Sequence, residues 1–311
     1  MQPKYQQQGV LPGNPFLLEN ETEFAQWRKQ KLELAPTSPS ELIVSVKEPR
    51  NLDAGEYSDL LARLRRCNMA IYQCENPESV GKEEIRQFGR QLGLNRLDPN
   101  MLADDDGITS LQTEVRKSER GYIPYSDKRL LWHTDGYYNP PQRKIRAMLL
   151  HCAQNSVEGG SNELLDHELV YLIMRDQNPE FVAALMAPDA MTIPANTEPG
   201  GEIRPAQTGP VFSIEPESGD LHMRYTARTR SIEWHDDPVT RGAVELLQSI
   251  LADNEHVIRH RMEPGQGLVC NNVLHNRTAF RNDAGSGKSR LVYRARYYDR
   301  IADTHWYQMG N

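Results

Sequence analysis

His133, Asp135 and His275 are the residues of this chain whose types and order are best suited to chemistry. Two imidazoles and one carboxylate form the donor set of a non-haem Fe(II) site, which keeps coordination positions open for a co-substrate and oxygen. A single residue separates His133 from Asp135. Strand side chains alternate, so both project from one face of a strand or strand end. His275 must then arrive from an element distant in sequence, as it does in a rolled sheet. A lone His-x-Asp pair is most often structural, and its weight here comes from its surroundings.

The segment 290–298 is the first of these. Alternation along a strand puts Arg290, Val292, Arg294 and Arg296 on one face and Leu291, Tyr293, Ala295 and Tyr297 on the other. An inward face carrying three arginines is costly unless anions pair with them. The bland reading is a solvated outer face; the functional one is that at least one guanidinium grips a carboxylate with two hydrogen bonds. Tyr137 and Tyr138 follow the metal motif directly and either line a substrate pocket or pack. Arg228 and Arg230 either reach an anionic substrate or face solvent.

Other patterns carry less. His256 and His260 have helical i, i+4 spacing without the glutamate of a zinc-protease motif, and read as a solvated helix face. Asp166-His167 falls at a strand-to-helix exit, where polar caps are common. The run from Gly285 to Ser289 imitates the end of a phosphate-binding loop, but Asn282 stands where that loop needs glycine.

The elements that must position these residues are legible in outline. Segment 42–46 is a β-branched run. Segment 53–66 repeats apolar residues at helical spacing behind a capping box of Asp53 and Glu56. A strand over 69–72 and a helix over 82–92 follow, with an earlier short helix around 21–31. The middle is β-rich, with strands from 145 to 151 and 162 to 165. A helical piece over 167–186 is broken at Asn178-Pro179. Segment 194–220, rich in Pro and Gly, reads as a long irregular loop and a candidate mobile lid. Asp237-Pro238 opens another helix, and strands return at 267–270 and 290–298.

Composition sets the outer bounds. The chain has 311 residues, 38% of them hydrophobic, enough for a large core. Its 43 acidic against 36 basic residues give a net charge of -7, which argues against nucleic acid as a general partner. No apolar run approaches the length of a membrane span and no signal-peptide pattern opens the chain. Cys67, Cys74, Cys152 and Cys270 form no CxxC pair and read as reduced thiols. The expectation is a cytoplasmic protein with neither nucleic acid nor membrane as partner.

His133-Thr134-Asp135-Gly136, Leu149–Cys152, Glu158-Gly159-Gly160, the 265–272 strand leading to His275, and Ser289-Arg290-Leu291 together resemble the Fe(II)/2-oxoglutarate dioxygenases of the taurine dioxygenase (TauD/TfdA) family. The similarity runs from about residue 40 to 300 and is closest to γ-butyrobetaine hydroxylase-like members. It implies a mainly β fold with flanking helices, a double-stranded β-helix or jelly roll of the clavaminate synthase-like type. An N-terminal extension over 1–40 would precede a single domain over 41–311, with a helical and loop insertion at about 167–220. The resemblance further implies that His133, Asp135 and His275 hold Fe(II). Arg290 would anchor the distal carboxylate of 2-oxoglutarate, with Asn162 as a second co-substrate contact where relatives carry Thr or Ser. Arg294 would face an anionic group of the substrate. The implied reaction uses O2, releases succinate and CO2, and hydroxylates a small anionic or zwitterionic metabolite. An aspartate at position 135, rather than a small residue, points to hydroxylation instead of halogenation. Dimers or tetramers are usual in that family. A zinc-dependent hydrolase using the same three ligands, or a non-catalytic jelly-roll binding protein, are the readings from other classes.

Overall fold

Strands buried on both faces must be apolar at successive positions, and the segment Ala147–Gln154 satisfies this. Leu149 packs to one side with Tyr72, Phe88 and Val269, while Met148, Leu150 and Cys152 pack to the other with Ile71 and Leu268. The computed structural model describes residues 12–99, 106–113, 123–198, 201–229, 232–283 and 289–306. Ala147–Gln154 lies fourth in a six-stranded sheet whose order is Ile43–Val46, Met69–Cys74, Gln266–Cys270, Ala147–Gln154, Leu291–Tyr297 and Thr109–Leu111. Only the first pair is parallel. A second, fully antiparallel sheet has four strands in the order Ile258–His260, Asn162–Leu165, Leu274–Arg277 and Leu130–His133.

The two sheets face each other across a shared apolar layer. Met69, Ile71, Met148, Leu268 and Val292 of the larger meet Leu164 and Ile258 of the smaller. The helices Ala54–Cys67 and Lys82–Gln91 cover the far side of the larger sheet through Leu60, Leu64, Ile85 and Phe88. The helices His167–Gln177, Pro179–Leu185 and Pro238–Ala252 pack outside the smaller sheet, where Trp132, Leu165 and Leu274 point outward into them. This is the jelly roll with external helices that the sequence led us to expect. Among the described residues no helix is long and apolar enough to cross a membrane.

Local signals placed several boundaries well. Asp53 accepts from Glu56 N and Glu56 returns the bond, so the capping box closes. Asn178 caps the second half of the broken helix, and Asp237 caps Val239 and Thr240. Two expectations need correction. Segment 194–220 is not an irregular loop. Asn196–Glu198 pairs with Gly201–Arg204, Gln207–Gly209 joins Met191–Ile193, and Phe212–Ile214 pairs with Leu221–Met223. Pro194, Pro205, Pro210 and Pro216 all fall between these strands, where no ladder hydrogen bond is lost. Nor do His256 and His260 share a helix face. The preceding helix ends at Ala252, and His260 sits in a strand opposite Asn162 with its ring bonded to Gln266. Arg230 and residues 284–288, which hold most of the phosphate-loop imitation, lie outside the described residues.

The helix Glu21–Leu34 is tied to this frame by charge. Lys31 Nζ is buried 2.6 Å from Asp166 and 2.5 Å from Glu168, at the start of helix His167–Gln177. Asp166 caps that helix and also accepts from Asn68 Nδ2. One buried cation thus faces two buried carboxylates, and removing it strands both. Lys31→Met is expected to cost about 3–5 kcal/mol of stability. Urea unfolding checks this, and a change within about 0.5 kcal/mol would show the group is solvated instead.

Candidate active site

His133 ends its strand and His275 lies directly opposite it in the neighbouring antiparallel strand. Cross-strand pairing therefore brings the two imidazoles together, with ring centroids 4.2 Å apart. Asp135 follows two residues on, in a turn clamped from both sides. Thr134 exchanges bonds with Tyr225 through its N–H and its Oγ1. Asn272, itself at φ +51°, accepts from Asp135 N at 2.8 Å and donates to the carbonyls of Asp135 and Ile145. Gly136 is required next: its φ is +69°, and a Cβ there would lie 2.4 Å from Ile145. One ligand atom from each of His133, Asp135 and His275 falls within 4.8 Å of the others, and all three residues are buried.

The electrostatics suit a cation. His133 Nδ1 donates to Leu131 O and His275 Nδ1 donates to Val273 O, which leaves Nε2 of each ring as the free lone pair. Burial, then the neighbouring His275, pushes His133 down to about 3, and burial likewise lowers His275. Both rings are thus neutral at physiological pH. Burial alone would raise the Asp135 carboxyl, but Arg294 and Arg296, followed by the two histidines, hold it well below the usual range. Its Oδ1 lies 3.5 Å from Arg294 and 3.6 Å from Arg296, whereas the buried Oδ2 has no hydrogen-bond partner. Two neutral imidazoles and an orphaned carboxylate oxygen fit Fe(II).

A cavity opens beside this cluster. Leu111, Met148, Leu150 and Val292 give it apolar walls, and His133, His275, Asn162, Arg277, Arg290 and Arg294 supply its polar groups. The arginine strand therefore points inward, and the solvated-face reading fails. Arg290 is 5% exposed and stacks over Phe280 at 5.2 Å. No carboxylate among the described residues pairs with it, and burial lowers it to about 10. Arg277 shares the Phe280 ring and spends its donors on the carbonyls of Pro124, Ser126 and Lys128. Asn162 donates to Asn276 O and keeps a buried Oδ1 without a partner.

Tyr137 meets the edge of the His133 ring at 6.5 Å and stands 5.1 Å from Tyr138, whose hydroxyl accepts from Arg296. Arg228 is exposed and interacts with the Tyr137 hydroxyl. His133, Asn162, His275, Arg290 and Arg294 thus line one cavity, with Asp135, Tyr137 and Tyr138 close by. Sequence reasoning passed over Arg277, Asn272 and Asp98, and named Arg296 only as part of the strand. Alternation from Arg294 was signal enough for Arg296. Nothing local marks Asn272 or Asp98.

Both histidines carry folded values below the ordinary one near 6.5. The stability this contributes is full above pH 6.5 and is lost as pH falls from there toward 3, because the unfolded chain takes up protons first. His151, near 4, adds to the same trend, so a control is needed. The melting temperature of metal-free protein is expected to drop between pH 7 and 5, and to drop less in His133→Asn/His275→Asn. Equal drops in the two proteins would contradict the burial argument.

Comparison with known proteins agrees with this geometry. The family model "Taurine catabolism dioxygenase TauD, TfdA family" matches residues 41–296. Among solved structures, the chain is similar to a taurine dioxygenase from Burkholderia xenovorans, at 17% identity and a TM-score of 0.56, covering 84% of this chain and 89% of that one. An asparagine oxygenase solved with Fe(II), 2S,3S-3-hydroxyasparagine and succinate matches at 15% identity and TM-score 0.55, covering 88% and 91%. The non-heme iron oxygenase OrfP, solved with Fe, matches at 17% identity and TM-score 0.58, covering 93% and 92%. The chain belongs to the TauD/TfdA family of iron- and 2-oxoglutarate-dependent dioxygenases.

Proposed function

We propose that the chain hydroxylates a small anionic or zwitterionic metabolite while converting 2-oxoglutarate to succinate and CO2. The observation that carries this reading is that a neutral His133/His275 pair and a buried Arg290, without a carboxylate partner among the described residues, open onto one cavity beside Asp135. Fe(II) held by His133, Asp135 and His275 supplies O2 activation and the oxidation of a substrate C–H bond. The protein's share is binding, orientation and dryness. Arg290 presents a planar fork to the distal carboxylate of 2-oxoglutarate, and Phe280 beneath it fixes that plane. Asn162 contributes an amide to the co-substrate from the same wall. Leu111, Met148, Leu150 and Val292 keep water from the reacting groups. Arg294 and the Tyr137/Tyr138 pair receive the prime substrate. A zinc hydrolase would have no need of Arg290, and a binding module would have no reason to keep His133, Asp135 and His275 together. The four buried free cysteines favour a cytoplasmic enzyme, and the family resemblance favours a homo-oligomer.

His133→Ala and His275→Ala are each expected to lose stoichiometric Fe(II) binding and 2-oxoglutarate turnover while keeping the fold. Iron quantification on the purified variants, with circular dichroism as the fold control, checks this; full iron binding by the double variant would defeat the ligand assignment. Loss of a buried charge-assisted contact costs on the order of 2–5 kcal/mol. Arg290→Ala should therefore raise the 2-oxoglutarate requirement more than about tenfold, whereas Arg294→Ala should chiefly weaken the prime substrate found by screening metabolites for succinate release. The reverse pattern would exchange the two arginines' roles.

A further inference from the structure

Arg296 has a position that ligand binding does not explain. It is 3% exposed, and it is absent from the cavity wall that Arg290 and Arg294 share. Its guanidinium is instead locked among protein groups. Nη2 donates to Asp98 Oδ2, Nη1 donates to the Tyr138 hydroxyl at 2.9 Å, and the same Nη1 lies 3.6 Å from Asp135 Oδ1. Asp98 is itself buried and fixed: its Oδ1 accepts from the Tyr298 hydroxyl at 2.6 Å, and its N–H donates to the Arg296 carbonyl. A buried ion pair that touches nothing but structure is weak evidence for stability. This one touches the carboxylate assigned to the metal, and it does so on one oxygen only.

We infer that Arg296, anchored by Asp98 and Tyr138, is a positioning residue that, beside the hydrogen-bonded Arg294, holds positive charge against Asp135 Oδ1, so that Asp135 offers the metal Oδ2 alone. The inference rests on the reading of Asp135 as a metal ligand. Its chemical consequence is an open coordination position. A carboxylate free at both oxygens can chelate a divalent ion and consume a position that the co-substrate or O2 needs. With Oδ1 accepting from Arg294 at 3.5 Å and lying 3.6 Å from Arg296, that chelation is opposed by charge. The arrangement trades metal affinity for reactivity, since a second guanidinium beside the site repels the incoming dication.

The trade gives a signature that simple loosening does not. Mn(II) serves as the probe, with water-proton relaxation counting the waters on the bound ion and calorimetry giving affinity. Arg296→Met is expected to bind Mn(II) as tightly as wild type or tighter, to hold one fewer exchangeable water, and to bind 2-oxoglutarate more than about tenfold more weakly in the Mn(II) form. The Asp98→Asn/Arg296→Met variant removes both buried charges, leaves neither unpaired, and should give the same result if the single variant fails to fold. An unchanged water count in the folded variants, or weaker Mn(II) binding without loss of a water, would overturn the inference. Failure of wild-type protein to bind Mn(II), with His133→Ala indistinguishable from it, would instead overturn the metal-site reading beneath it.

Discussion

The Asp135 carboxylate sets the terms for everything near it. A buried anion is costly unless cations or hydrogen bonds surround it. Here Arg294 and Arg296 stand on one of its oxygens, and the other has no hydrogen-bond partner among the described residues. That asymmetry suits the carboxylate to a ligand's role. It also explains why the arginine strand points inward: two of its guanidinium groups neutralise Asp135, and the third, Arg290, has no carboxylate partner among the described residues.

Such an arrangement holds only on a rigid frame. His133 and His275 face each other because two strands pair in register, and the smaller sheet that contains them is pinned on both sides. The shared layer of Met148, Leu268 and Leu164 fills one face, and Leu165, Trp132 and Leu274 anchor the helices on the other. A one-residue slip of either strand would send its imidazole to the wrong face and part the pair. The clamp by Asn272 and Thr134 extends that precision beyond the strand end to Asp135.

Much of this was legible because the signals were local or periodic. The Asp53–Glu56 capping box, the Asn178-Pro179 break and the Asp237-Pro238 start each work within four residues, and each lies where expected. Alternation placed Arg290 and Arg294 on one face, and the His-x-Asp spacing placed His133 and Asp135 together. The unread part depends on contacts distant in sequence. Lys31 finds Asp166 and Glu168 only after the helices dock, and Asp98 finds Arg296 only across the sheet edge. In 194–220 the prolines marked breaks between elements, but the strands of three or four residues between them were too short to show a pattern. For His256 and His260, helical spacing was accidental, since a turn and a strand separate them.

The central claim is that metal ligands and anion-binding arginine form a single site. Anaerobic titration of 2-oxoglutarate into wild-type protein, with and without Fe(II), tests it most directly. The account predicts one co-substrate per chain bound tightly with Fe(II) present, and affinity weaker by at least about tenfold when the metal is removed by chelation, since metal and Arg290 then no longer hold the two ends together. Equal affinity with and without metal would mean that the buried arginine binds anions independently of the His133, Asp135 and His275 cluster, and would contradict the account.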